Sequence, residues 1–495
     1  MSSFAHSPGV LEKNVHGSSG IIVSSKGVVN GLSDIPNDGS HFGPDTMLGA
    51  TSPNQTGAPY TQTGGIQEAI NYASLAGQKV AVKPGLYKLY AYLHLPSNIK
   101  FKGESKINTI LQFQPTGTYP SPLGTGLVDA LNQSYIEFSN VTIDCNNIAN
   151  INIQFGNGGV TSTYGCNIHD IKIINSMMYG LRITGSPTVR NYHYVVKNIE
   201  GQRSASSTQG DFFVFGVSES FVSNILVKNN IVGLSCGLYE ADNTAIDGIT
   251  ITGLGGNANG FFLASTQNCI ATRITVKNTA SGYSGYVVYE YQEEDNSNST
   301  VPNENSIVNI TIDVGPNGVN NQMIKLSGNN TIFALSQIDG YSATASPYNA
   351  ILIAGNNYVI TGNKLMNTGQ GIYDTSTNTG NVICDNTFQN VSSPFSQTSP
   401  NSIYKNNPGY NPQGFKVASP AVPASGTAQK NTFQFPVRIY LLTAGAGTAY
   451  TITDPLGDAQ TIPATLAAGM EFTLDAGASI ALTYTTAPTW VWYGI

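Results

Sequence analysis

The chain has 495 residues, 10% of them charged and 40% apolar, with a formal net charge of −7. An average globular domain is about 25% charged; here the polar surface is built from amides and hydroxyls, and the acidic balance without a basic stripe argues against a nucleic-acid partner. No run of about 18 apolar residues exists, so no membrane-spanning helix is expected. Abundant Asn, Gly and Ser favour turns, whereas Thr, Val, Ile and Tyr favour strands, so the expectation is an all-β chain with many short turns.

Residues 1–60 are expected to be an N-terminal extension that attaches to a partner. Their start, MSSFAHSPGVLEKNVHGSSG, lacks a basic stretch followed by an apolar one, so no secretory leader is expected. Export would then use another route or follow removal of a leader; a virion component needs none. Residues 64–78, GGIQEAINYASLAGQ, read as an amphipathic capping helix with Ile66, Ala69, Ile70, Ala73 and Leu75 on one side.

Next come V-x-V-x-P-G-x-Y (Val80, Val82, Pro84, Gly85, Tyr87) and L-x-L-P-S-N-I-x-F-x-G (Leu93, Leu95, Pro96, Ser97, Asn98, Ile99, Phe101, Gly103). This helix-and-strand opening resembles that of pectate-lyase-like, right-handed parallel β-helix proteins, a superfamily that includes polysaccharide lyases, glycoside hydrolases and phage tailspikes. With the repeat described next, the resemblance spans about residues 60–405, and the β-helix domain is expected over residues 61–410. It implies the fold and leaves the function open, because these glycines and prolines are structural.

The repeat is visible as FSNVTIDCNN (138–147), FVSNILVKNN (221–230) and SIVNITIDVG (306–315). Asn140, Asp170, Asn198, Asn224, Gly248, Arg273, Asn309, Leu335, Gly362 and Asp385 form one column, mostly 23 to 30 residues apart. A fixed period of short strands split by Gly and Asn turns means a solenoid. One coil per period places like residues above each other at about 4.8 Å, where amides can form ladders. The five cysteines form no CxxC pair, so neither a zinc site nor a disulfide framework is expected. Cys166 and Cys269 fall four coils apart, roughly 19 Å at that rise, and cannot bond to each other.

In the superfamily resembled, substrate lies along one face of the coils, and catalysis uses either paired carboxylates or a basic residue with Asp-bound calcium. The polygalacturonase strings NTD, DD, GHG and RIK are absent. The carboxylate candidates are Asp211, Glu240 and Glu290, expected near the ends of corresponding strands and converging on one groove. Tyr239, Phe262, Tyr286, Tyr289 and Tyr291 lie in the same strands, where rings can stack on sugars. His193, Arg182, Arg190 and Arg203 are candidate lyase bases; His94 and His169 read as packing or surface residues. No cofactor is expected unless the chain is a lyase, which would call for calcium. Asn140, Asn298, Asn309 and Asn390 open glycosylation sequons.

Residues 411–432 read as a linker, and residues 433–495 as a small C-terminal β-sandwich. The module's few charges suit burial against a partner, with trimerisation preferred; Trp490 and Trp492 are alternatively glycan-binding or core residues. The expected function is a surface-exposed, trimeric, carbohydrate-binding β-helix protein of tailspike or adhesin type, on a virion or cell surface. The alternative is a secreted polysaccharide lyase or glycoside hydrolase.

Overall fold

The computed structural model describes residues 21–24, 41–43, 61–119, 126–148, 151–156, 161–186, 188–207, 210–280, 283–292, 300–317, 322–340, 349–408, 416–433 and 435–495. The chain is 3% helix and 56% strand, and forms a parallel β-solenoid of about 11 turns with a small antiparallel region at its C-terminus. It divides into two compact units, residues 1–306 with 310–327, and residues 307–309 with 328–495.

In the first unit, helix α1 (Ile66–Ala76) caps the coils with Ile66, Ala69, Ile70 and Ala73 buried. Leu75, expected on that face, is 78% exposed. Gly77, at φ 61°, ends the helix by donating its N–H to the Ala73 carbonyl. Most of residues 1–60, including the expected attachment segment, lie outside the described residues. Ile21–Val23 and His41–Phe42, however, are strands of the coil: Ile21 pairs with Val80 and Ile22 with His41, all in parallel. The coil therefore begins before residue 61.

The repeated column is a corner. Asn140, Asp170, Asn198, Asn224, Gly248 and Arg273 all have φ between 53° and 71°. This left-handed conformation is easiest for Gly, Asn and Asp, which explains the column's composition. Flanking registers place its members one above another: Ser139 pairs with His169, His169 with Lys197, and Lys197 with Ser223. The Asn224 amide donates to Asn198 Oδ1 at 3.2 Å, and the Asn198 amide donates to Asp170 Oδ1 at 3.0 Å. Inside the coil, Phe138, Ile168, Val196, Val222, Ile246 and Ala271 are fully buried in register. All five cysteines are free and buried.

In the second unit the same kind of corner recurs at Asn309, Leu335, Gly362 and Asp385, with φ 54–66°. A buried amide ladder runs Asn363 to Asn386 to Asn407 at 2.9 and 3.1 Å. The C-terminal module pairs a four-stranded antiparallel sheet with a three-stranded one over a shared apolar core. Residues 416–432, expected as a linker, are part of that module. Ala428–Lys430 is an edge strand paired with Ser479–Ala481. Val417 N–H donates to the Trp492 carbonyl at 2.9 Å, and Trp490 Nε1 donates to the Pro420 carbonyl at 2.7 Å. The sandwich needs this strap to satisfy its edge.

Candidate functional site

One sheet of the first unit stacks β1 (Leu181–Thr184), β2 (Phe213–Phe215), β3 (Leu234–Tyr239), β4 (Asn259–Ala264), β5 (Val288–Tyr291) and β6 (Ile324–Leu326). Strand parity sends alternate residues to opposite faces. The inward columns are apolar: Leu181, Phe213, Cys236, Phe261, Val288 and Ile324 stack in register. The outward column between them reads Arg182, Val214, Gly237, Phe262, Tyr289 and Lys325. A second outward column holds Tyr239, Ala264 and Tyr291.

These two columns build an aromatic shelf. Val214, Phe262 and Ala264 form its buried floor, with Tyr179, Leu234, Tyr239, Tyr289 and Tyr291 packed against it. Gly237 makes the floor possible, since a Cβ there would sit 2.0 Å from the Phe262 carbonyl and 2.7 Å from its ring. Tyr289 and Tyr291 stack at 4.2 Å with planes 12° apart, and Tyr286 tilts against Tyr289 at 4.7 Å. Lys325 Nζ lies 5.3 Å from the Tyr289 ring centre, and Arg182 Cζ lies 4.8 Å above Tyr179. Five strand steps, about 24 Å, separate the two cations.

At the Arg182 end, Tyr179, Arg182, Thr184, Asp211, Val214 and Tyr239 line a cavity of about 260 Å³. Asp211 Oδ1 accepts the Leu234 N–H at 2.8 Å. Burial raises the Asp211 pKa; the Leu234 N–H and the charges of Arg203 and Arg182 offset part of that rise. Beneath it Arg203, 2% exposed, donates to Asn230 Oδ1 at 2.6 Å and the Val232 carbonyl at 2.7 Å. Its bond to the Gly210 carbonyl joins the residue before Asp211 to the Asn230–Val232 segment that leads into β3. Burial brings the Arg203 pKa down to about 10.

The expected carboxylate cluster does not form. Register places Asp211 beside Leu234, and Glu240 lies six residues further along, about 20 Å at strand rise. That is far outside the ~5–9.5 Å that paired glycosidase carboxylates need. Glu240 is 2% exposed at φ 48°, and its carbonyl accepts a bond from Arg190. Glu290 points into the coil, in one column with Phe215, Leu238, Leu263 and Leu326. It is 0% exposed and accepts the Asn305 amide at 3.0 Å.

Other candidates are also relocated by burial. Phe262 is floor rather than stacking surface. Trp490 and Trp492, 7% and 1% exposed, belong to the core of the C-terminal module, which removes them as glycan-stacking faces. Arg190 pairs with Asp242 at 3.0 Å and His193 sits 3.9 Å from Glu219, both away from the cavity lining. Tyr179 and Lys325 escaped the sequence reading, although Lys325 could be found by extending the Arg182 column one coil past Tyr289. Among the described residues no group of three His, Cys, Asp or Glu is arranged to hold a metal ion. No helix among them is long and apolar enough to cross a membrane.

No family model matches the sequence, and no curated protein matches it. Solved structures do match the fold. The A-module of mannuronan C-5 epimerase AlgE6 from Azotobacter vinelandii superposes with TM-score 0.54 at 13% identity, covering 69% of this chain and 94% of that one. A mutant tailspike protein of E. coli bacteriophage HK620 superposes with TM-score 0.50 at 11% identity, covering 88% of this chain and 90% of that one. The fold these structures share with this chain is a parallel β-helix. At these identities the likeness speaks for the fold alone.

Proposed function

We propose that this protein binds a polysaccharide along the outer face of β1–β6, as a surface-exposed, trimeric β-helix of tailspike type on a virion or cell surface. The observation that carries this reading is the shelf of Tyr239, Tyr289 and Tyr291, half-buried in register between Arg182 and Lys325. Tyrosine rings held over an apolar floor present a rigid face to the C–H side of sugar rings, and their hydroxyls stay wet. One structural neighbour is a phage tailspike and another is an enzyme named for mannuronan, which supports a polysaccharide as ligand. A metal chelator is expected to leave this binding unchanged.

Titration calorimetry against a panel of neutral and acidic polysaccharides tests this reading. Tyr289→Ala is expected to weaken the best ligand about tenfold, or ~1.4 kcal/mol, without lowering the melting temperature. Equal affinity in that variant would remove the shelf from the binding face. Light scattering that finds a monomer would remove the trimer.

A second reading is favoured by one observation: Asp211, with its raised pKa, lines the same cavity as Arg182. In it the protein is a polysaccharide lyase or hydrolase acting at that end of the shelf. Release of unsaturated or reducing ends, abolished in Asp211→Asn, would support it. Binding without release would leave the first reading in place.

A further inference from the structure

The C-terminal module carries a second concave site. Its three-stranded sheet consists of β7 (Val437–Thr443), β8 (Glu471–Leu474) and β9 (Thr489–Gly494), with β7 in the centre. Inward, Ile439 pairs with Trp492 and Leu441 with Trp490, all in the core. Outward, Tyr440 pairs with both Glu471 and Val491, and Arg438 with both Thr473 and Tyr493. Arg438, Tyr440, Leu442, Val491, Tyr493 and Ile495 line a groove of about 630 Å³. That is within the ~300–1,000 Å³ of small-ligand sites.

Three features define what fits. The Tyr440 and Tyr493 rings meet edge to face, 5.6 Å apart at 84°, so the groove offers aromatic surface in two orientations. Arg438 Nε pairs with Glu471 Oε1 at 2.7 Å, and Arg438 Nη1 reaches the Tyr440 hydroxyl at 3.5 Å. The rim is thus rich in donors and acceptors: Arg438 and Glu471 neutralise each other, and the exposed Lys416 is bridged to Tyr493 beside them. The sandwich's other outer face differs: its exposed Thr451 and Thr461 hydroxyls bond to each other at 2.8 Å. Apolar ring faces beside a hydrogen-bonding rim whose Arg438 is already paired with Glu471 match a neutral sugar chain, which presents C–H faces and hydroxyls together. A second copy of this chain would need a protruding complement to this groove, whereas the other sheet's outer face offers the short Thr451 and Thr461 hydroxyls.

We propose that this groove is a second carbohydrate site, specific for neutral glycan segments and independent of the solenoid shelf. The chain provides a reporter for it. Its only two tryptophans, Trp490 and Trp492, lie on β9 directly beneath the groove, and none lies in the solenoid. Indole fluorescence and the two indole N–H resonances of the full-length protein therefore report on this site alone.

The probes are hexasaccharides of α-1,4-glucose, β-1,4-glucose and β-1,4-mannose at millimolar concentration. At least one should give a saturable indole shift that Tyr440→Ala and Tyr493→Ala weaken about tenfold. Tyr493→Phe, which keeps the ring, should retain the shift and exclude misfolding as the cause of its loss. Tyr289→Ala on the solenoid should leave it unchanged, so failure here and failure of the solenoid reading are separable. No indole response to any of the three probes would overturn the proposal. So would dissociation of an assembly by Leu442→Asp in light scattering, which would make the groove a subunit contact.

Discussion

The solenoid sheet β1–β6 and the module sheet β7–β9 both display tyrosines above an apolar layer, yet they set side-chain direction by different means. In the solenoid, neighbours come from successive coils, and direction is inherited through equal register: Arg182, Val214, Gly237, Phe262, Tyr289 and Lys325 share one face because each pairs with the next. In the module, direction is set by antiparallel partners and by the 416–432 strap that caps Trp490. The difference teaches that residue type predicts little here and strand parity predicts much. Glu290 is in the core between two outward tyrosines, and Trp490 and Trp492 are in the core beside outward Val491 and Tyr493.

The largest expected effect tests the module. Trp492→Ala removes a 1% exposed indole from the core and should cost about 3–5 kcal/mol by denaturant unfolding. A loss near zero would return Trp492 to the surface and dissolve the contrast with the solenoid tyrosines. Gly237→Ala comes next, because its Cβ would collide with the Phe262 backbone and ring. It should cost ~1–3 kcal/mol and disturb polysaccharide binding. An unchanged melting temperature would mean that the shelf floor is loosely packed.

A smaller effect sharpens the role of the corner. Leu335 is 66% exposed at φ 54°, a conformation that costs an ordinary side chain ~1–2 kcal/mol. Leu335→Asn should therefore stabilise the coil by about 1 kcal/mol, measured as a shift in the denaturant midpoint. The smallest effect is one of pH. Burial holds the folded-state pKa of Asp211 above the ordinary Asp value of 3.8, so the native state binds the extra proton, and stability falls as pH rises from that value through the folded pKa. Asp211→Asn should flatten this slope and raise stability at neutral pH; an unchanged slope would place Asp211 in water.

Much of the coil was legible in the primary structure because a solenoid repeats its physical demands. Each turn needs left-handed corners, and in this column all but Arg273 and Leu335 are Asn, Asp or Gly, so the column from Asn140 to Asp385 could be read without coordinates. The candidate site was legible only in part. Asp211 and the tyrosines were found because carboxylates and aromatic rings stand out in a chain with few charges. Glu240 and Glu290 were misplaced because spacing in sequence does not report position along a strand or parity across it.

By itself, then, the order of residues determined the repeating coil, its capping helix and the existence of a separate strand-rich end, because local backbone preferences and a regular period are written residue by residue. Only the folded chain decided which carboxylates meet, which rings face solvent and where the C-terminal module begins. Those outcomes depend on register between strands 23 to 36 residues apart and on a strap that pairs across some 50 to 70 residues. No local preference encodes a contact of that range.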